Sequence, residues 1–387
     1  MNDHSFRHMD ATALASAMRH SRQRTLALAD AWAQALPGLQ IPYSPELNPP
    51  MWELGHVGWF QEWWIGRNQQ RPLGTACEPD HARPAPALAN ADALYNSSQV
   101  PHASRWHLPL PSLTDTRAYL SSVLDQTLAL LAQAGRSDKD LYFWRLVLAH
   151  EDMHNEASVY MAQALNVPLP AEWARGHNLP RAVDHGPVRI AAQTIGMGYS
   201  GPGFAFDNEL GAHTVALDAF DIDTAPVSWA RYLPFVQATG HRLPLHVRRA
   251  GNQWHSRHFG QWQPLDDTAP AVHISHTDAL AWCQWAGRRL PTEAEWVCAA
   301  QTVPGFGWGE VWEWTASAFA PFPGFVPHPY RDYSAPWFDG RPVLKGFCAA
   351  TADRMAQVHY RNYFTPERRD IFAGFRSAGQ SAVVTGG

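Results

Sequence analysis

A chain of 387 residues exceeds one ordinary core, and at roughly 100 to 200 residues per domain it should hold two or three units. A formal charge of −5 with only 17% charged residues argues against a phosphate-reading surface, which needs a basic field, and favours small-molecule chemistry. Apolar residues, 45% of the chain, supply ample core, while 18 Trp and 20 His are the anomaly, both being common where aromatic walls surround metals or cationic ligands. No run of about 18 or more apolar residues occurs, so no membrane span is expected. Cys77, Cys283, Cys298 and Cys348 form no C-x-x-C pair, and the amino terminus lacks an apolar signal core. The expectation is a reduced, cytoplasmic protein without nucleic-acid or membrane partners.

Residues 10–36 are rich in Ala and Leu, with apolar positions recurring at three and four, and Pro37-Gly38 stops them, which predicts a first amphipathic helix. Beyond a proline-rich loop, residues 51–67 form a second helix opened by proline and crowded with Trp52, Trp59, Trp63 and Trp64. His56 lies inside it, between Gly55 and Gly58, where a histidine would ordinarily be a satisfied core residue. Residues 73–111 lack periodicity and read as a long excursion suited to covering a site, Tyr95-Asn96-Ser97-Ser98 being its most ordered part. A third helix follows at 114–134, capped by Ser or Thr and ended near Gly135.

The fourth helix, 141–165, carries His150, Glu151, Met153, His154 and Glu156 within two turns. Four residues is about one turn, so His150 and His154 share a face with Cβ atoms roughly 6 Å apart, a spacing at which two imidazoles can hold one metal ion. The same residues spell H-E-x-x-H, the string of zinc proteases, so two metal chemistries compete for them. Four helices make a bundle, and bundles build metal sites from facing helices, which makes His56 the third ligand to expect. From about residue 168 the character changes, and a second domain is expected to begin near 180, with strand-like runs at 188–195 and 214–222. Two helices stand out there, 228–238 and 276–286, and the chain after Gly305 reads as loop-rich.

Phe206-Asp207-Asn208-Glu209, Leu290-Pro291-Thr292-Glu293-Ala294-Glu295-Trp296, Val311-Trp312-Glu313-Trp314-Thr315 and Ala373-Gly374-Phe375-Arg376 resemble the domain shared by formylglycine-generating enzymes and sulfoxide synthases, a C-type-lectin-like fold with little regular structure. His56 in its L-G-H-x-x-W-F setting and His150-x-x-x-His154-x-Glu156 resemble the DinB-like bundle of ergothioneine synthases. The resemblance implies an α+β chain: a DinB-like four-helix bundle over residues 1–175, then a formylglycine-generating-enzyme-like domain over 180–387. It also implies an iron(II) site of His56, His150 and His154, with open positions for dioxygen and a sulfur or selenium donor. Such enzymes couple the donor to the imidazole C2 of hercynine, whose quaternary ammonium suits aromatic walls. Glu156 is then expected behind the ligands, orienting an imidazole. A Tyr-x-x-Tyr element, Tyr330-Arg331-Asp332-Tyr333, would supply a proton or electron from Tyr330 and a substrate wall from Tyr333, with the two roles open to exchange. Tyr95, Arg105, Met153, Asn362, Tyr363, Phe364 and Arg368 are the expected substrate-binding residues. The lectin-like fold leaves a structural calcium ion in the second domain as an open expectation.

Departures from the pattern bear on the donor. Enzymes of this family that take γ-glutamylcysteine carry two arginines after the Asn-Ser element and an acidic residue two places after Arg-Asn. Here only Arg105 follows in the excursion, Phe364 stands at the acidic position, and Met153 replaces a Gln. A dipeptide with two carboxylates and an ammonium needs charged partners, so the donor pocket should have changed. Selenoneine synthases, whose donor is a selenosugar, resemble this chain most in the PPMWELGHVGWFQEWW and LAHEDMHNE stretches. The alternatives are ergothioneine sulfoxide synthesis from γ-glutamylcysteine or cysteine, a zinc protease with Glu151 as base, a formylglycine generator, and a non-catalytic lectin-like module. The formylglycine reading wants two reactive cysteines late in the chain, and Cys348 stands alone there.

Overall fold

A computed structural model describes residues 5–176 and 182–380. Helix α1, Ala11–Ala35, starts where the Asp10 carboxylate accepts from the Ala13 amide at 2.8 Å and stops ahead of Pro37-Gly38. Helix α2, Pro50–Gln61, is opened by proline and widens into a π turn over Glu62–Gly66, so the expected single helix to residue 67 changes its winding partway. A short helix α3, Ala91–Tyr95, orders the middle of the excursion. Helix α4, Leu113–Leu131, is capped by Ser112, and helix α5, Asp138–Leu165, begins with a reciprocal Ser137–Asp140 cap and ends at Asn166 in the left-handed region. The four long helices pack around a shared apolar core that includes Met18, Trp32, Trp52, Phe60, Leu120 and Leu148. Gly58 lets α2 approach α4 closely, since a Cβ there would lie 2.9 Å from the Tyr119 ring and 3.0 Å from Leu120.

A single turn of helix, α6 at Ala171–Ala174, leads out of the bundle. The boundary expected near residue 180 lies outside the described residues. Each of the two expected strand runs proves to be two strands with a turn between: β1 Pro187–Ile190 and β2 Gln193–Met197, then β3 His213–Leu217 and β4 Phe220–Asp223. After helix α7, Trp229–Thr239, come β5 Val247–Ala250, β6 Gln253–His258 and β7 Gln261–Pro264, an antiparallel ribbon. Helix α8, His276–Trp285, precedes β8 Arg288–Arg289. Helix α9, Glu293–Thr302, departs from the two-helix expectation; it is short, and its Thr292–Glu295 capping box sits inside the Leu290–Trp296 motif. Strands β9 Trp312–Ala318, β10 Pro342–Lys345, β11 Asn362–Tyr363, β12 Ala373–Gly374 and β13 Ala378–Gly379 complete two four-stranded sheets, ordered β1-β4-β13-β8 and β11-β10-β9-β12.

The recognisable motifs of this half hold it together. Trp296 Nε1 donates to the Glu313 carboxylate at 2.9 Å, and Arg376 pairs with that carboxylate, Nη2 to Oε1 being 2.7 Å, with both charges buried. A buried ion pair with its remaining atoms satisfied fixes geometry more than it adds stability. Bundle and second domain share one apolar core and are joined by polar contacts: Arg354 to Asp152 of α5 at 2.6 Å, Arg24 of α1 to the Ala350 carbonyl at 2.9 Å, and Arg7 to Glu209. Among the described residues no helix is long and apolar enough to cross a membrane.

Candidate metal centre

Helices α2 and α5 present His56, His150 and His154 to one point, with a nitrogen of each imidazole within 4.8 Å of the others. Gly55 positions the first. A Cβ there would lie 2.1 Å from Tyr95 Cζ, so glycine lets the Tyr95 ring pack against α2 and brings its carbonyl 2.8 Å from His56 Nδ1. A carbonyl only accepts, so Nδ1 carries the proton and Nε2 is left with its lone pair. The ring is further held by Trp52, stacked at 4.7 Å and 10°.

His154 is oriented by a carboxylate: its Nδ1 donates to Glu53 Oε2, and the other Glu53 oxygen accepts from Asn48 Nδ2. His150 lies flat on Phe60, centroids 3.5 Å apart at 4°. The Nε2 atoms of His150 and His154 are 3.2 Å apart. With metal–nitrogen bonds of about 2.0–2.1 Å, two ligands at angles between a right angle and a tetrahedral one stand about 2.8–3.4 Å apart, so the His150–His154 pair fits a divalent transition ion. Burial, followed by the nearby His154, lowers His56 to about 3 and holds His150 well below the usual range, which keeps both imidazoles neutral as ligands must be. Burial pushes the Glu53 carboxyl upward, but His154, His56 and Asn48 together outweigh it and bring the group to about 2. Among the described residues these three histidines are the only cluster of His, Cys, Asp or Glu close enough to hold an ion, so the calcium expectation gains no such cluster in the second domain.

His150 and His154 line a cavity of about 270 Å³ at the seam between the two halves. Met153, Glu156, Tyr330, Tyr333, Asn362, Tyr363 and Phe364 line it. Tyr330 packs edge-on to Phe60 at 4.8 Å and lies 6.1 Å from the His150 ring. The Tyr333 and Tyr360 hydroxyls are 2.9 Å apart, and Tyr360 donates to Met153 Sδ at 3.2 Å. Burial, with Asp332 second, raises the Tyr330 phenol well above its usual range; Tyr333 is raised by burial, then by Tyr360 and Tyr363. Both phenols therefore keep their protons at neutral pH.

Four expectations are corrected. Glu156 touches no imidazole: Trp312 Nε1 at 2.6 Å and the Thr351 hydroxyl donate to its carboxylate, and the orienting carboxylate is Glu53. Tyr95 contributes its backbone carbonyl while its ring is buried, so it is no cavity wall. Arg105 stands 3.9 Å over the Trp52 ring and donates to Asn48 at 2.8 Å, one layer behind the cavity. Arg368 is paired with Asp370 at 2.6 Å and lies over Phe364, outside the lining. Glu151 points away from the histidines into a buried pair with Arg22 at 2.7 Å, which removes the base that a zinc protease requires. The four cysteines are buried thiols that form no disulfide, and burial raises Cys348 far above a reactive thiol's range.

The sequence reading missed Glu53, Asn48, Tyr160, Trp312 and Tyr360. Glu53 left a signal: it stands three residues before His56, and neighbours at that spacing lie on the same side of a helix. Replacing it with Gln keeps the shape and removes the charge, so metal affinity is expected to fall about 10–100-fold. Chelator competition on the purified variant checks this; unchanged affinity would mean that Glu53 does not support the ligand.

Beyond Tyr330 lies a second cavity of about 420 Å³, and that tyrosine lines both. Its walls are Trp59, Phe60, Trp63 and Trp64, with Asp80, Asn96, Ser98, Gln99 and Asp332 as polar groups. Arg331, its single cation among the described residues, is paired with Asp80 at 2.7 Å, and the Ser98 hydroxyl donates to Asp332.

The description of the DinB superfamily matches residues 17–161, and that of the sulfatase-modifying factor enzyme 1-like domain matches residues 179–306. The hercynine oxygenase of Mycolicibacterium smegmatis is 30% identical over 94% of this chain and 98% of its own length. That of Mycobacterium tuberculosis is 31% identical over the same shares, 94% and 98%. The formylglycine-generating enzyme of Streptomyces coelicolor is 27% identical over 58% of this chain and 99% of its own.

Proposed function

Because the chain belongs to the hercynine oxygenase family, we propose that it is an oxygen-dependent non-haem iron enzyme that forms a carbon–selenium bond at the imidazole C2 of hercynine, with a selenosugar as donor. The observation that carries this reading is the convergence of His56, His150 and His154 at one point, two of them, His150 and His154, lining an aromatic cavity between the two halves of the chain. Iron(II), held by the three imidazoles, would supply binding and activation of dioxygen and of the chalcogen. The residues of the chain do the rest. Tyr160, Trp312, Tyr360, Tyr363 and Phe364 offer ring faces to a trimethylammonium group, whose attraction to them grows as water is displaced. The amides of Asn48 and Asn362 are neutral donors for the hercynine carboxylate. Tyr330 holds a proton beside His150, where a reaction that reduces oxygen must take one up.

The choice of donor rests on what the two cavities lack. Among the described residues no arginine lines the histidine cavity, and the arginine at the rim of the second is already paired. A dipeptide carrying two carboxylates would have to give up its hydration there without charged partners in return. Indole faces with carboxylate, amide and hydroxyl groups suit a neutral, hydroxyl-rich donor instead. The expected outcome with hercynine is a preference of at least tenfold in kcat/KM, about 1.4 kcal/mol, for a selenosugar over γ-glutamylcysteine or cysteine. A competition assay with both donors measures it. Equal use of γ-glutamylcysteine returns the protein to ergothioneine sulfoxide synthesis, and no oxygen uptake with any donor leaves the lectin-like binding module.

A further inference from the structure

The excursion between α2 and α4 returns to the bundle as a 3₁₀ turn, His102–Trp106, fastened to the proline-rich loop that leads into α2. His102 Nε2 donates to the Leu47 carbonyl at 2.9 Å, and Trp106 Nε1 donates to the Ile41 carbonyl at 3.0 Å. Between these two anchors stands Arg105. Its guanidinium lies 3.9 Å over the Trp52 ring, Nη1 donates to Asn48 Oδ1 at 2.8 Å, and Nη2 donates to the Val100 carbonyl at 3.3 Å.

The order of donors and acceptors decides which way each group faces. A guanidinium only donates, so the Asn48 amide turns its oxygen to Arg105 and its nitrogen to Glu53. One Glu53 oxygen is thereby held by Asn48, and the other accepts from His154 Nδ1. With its proton on Nδ1, His154 keeps the lone pair of Nε2, the atom 3.2 Å from His150 Nε2, for a metal. Were the amide to rotate by half a turn, its oxygen would meet a Glu53 oxygen, two acceptors with no proton between them. Arg105 is the group that forbids that rotation. It rests on an indole that is itself stacked on His56 at 4.7 Å and 10°.

We propose that Arg105 is a positioning residue of the metal centre: it sets the Asn48 amide, which holds Glu53 where that carboxylate orients His154. The inference rests on the three-histidine reading above and extends it to a residue on the excursion, two side chains away from the nearest ligand. If Arg105 merely packed the excursion on the bundle, its loss would lower thermal stability and leave metal affinity unchanged.

The test is chelator competition for Co(II), a spectroscopically visible substitute for iron(II), on the full-length protein and on Arg105→Met, Arg105→Lys, Glu53→Gln and the double variant Arg105→Met/Glu53→Gln. Arg105→Met is expected to weaken Co(II) binding by at least about tenfold, the lower end of what outer partners of metal ligands cost, and to alter the ligand-field absorption. Arg105→Lys, which keeps a cation able to donate to Asn48, should recover part of that loss. In the Glu53→Gln background Arg105→Met should cost little more, because its route to His154 is already cut. Circular dichroism should show every variant folded, since His102 and Trp106 still anchor the turn. Unchanged affinity in Arg105→Met, an Arg105→Lys variant no better than it, or losses that multiply in the double variant would each overturn the proposal. An unaltered protein that takes up no Co(II) would instead sink the three-histidine reading, and this inference with it.

Discussion

Alanine at His150 is expected to lower kcat/KM with hercynine by about 10³-fold or more, ~4 kcal/mol, and to abolish iron binding at the proposed site. The same loss is expected at His56 and His154, because each would supply one of only three protein ligands. The three differ in what else they do. His56 is tied to the Tyr95 carbonyl and His154 to Glu53, so their removal leaves a buried acceptor unpaired in each case. His150 is held mainly by stacking on Phe60, and its truncation opens a gap beside that ring. All three variants should remain folded, since Trp52, Phe60 and the α1–α5 packing extend well beyond the site. Metal analysis beside circular dichroism separates loss of the ion from loss of the fold. A folded variant that retains full iron occupancy and turnover would remove its histidine from the proposed ligand set.

How much of this centre could be read from sequence follows from helix geometry. The His150–His154 pair was legible because a four-residue step returns to the same face, and His56 because a bundle must complete the set from a facing helix. Glu156 was misplaced for the same geometric reason: residues two apart on a helix do not face each other, so it could not reach back to His154 and instead meets Trp312 and Thr351 across the seam. Glu53 could be read from α2 only as a neighbour of His56 on one side of the helix; that its carboxylate orients His154 was hidden because that partner lies on another helix. The motifs of the second half identify its fold through Glu313, Trp296 and Arg376, which clasp one another away from the histidines. What they do not disclose is the chemistry, which depends on loop residues such as Tyr360 whose neighbours come from distant parts of the chain. Short elements fared worst: β1–β4 and α9 span ten residues or fewer, too few for periodicity to mark the turns between them.

Changing Tyr330 to Phe is expected to leave iron and hercynine binding intact while product formed per oxygen consumed falls at least about tenfold. The Tyr330 ring packs on Phe60 at 4.8 Å and lies 6.1 Å from His150; phenylalanine preserves both contacts and deletes only the hydroxyl. Burial and the neighbouring Asp332 raise the phenol well above its usual range, so the group is protonated at neutral pH and can give a proton where oxygen is reduced. A positioned proton donor contributes typically about 10²–10⁴-fold, and losing it should favour whichever competing oxidation needs no such proton, here oxidation of the chalcogen donor itself. Tyr333 is less able to give up its proton, because its hydroxyl is engaged by Tyr360, which continues to Met153, and its carbonyl accepts from Tyr363. Tyr333→Phe should therefore disturb the pocket wall and raise KM for hercynine more than it uncouples oxygen use. An oxygen electrode run alongside chromatography of the imidazole product and the oxidised donor reads both variants at once. Equal coupling in Tyr330→Phe and the unaltered enzyme would assign the proton to another group; uncoupling in Tyr333→Phe alone would exchange the two roles.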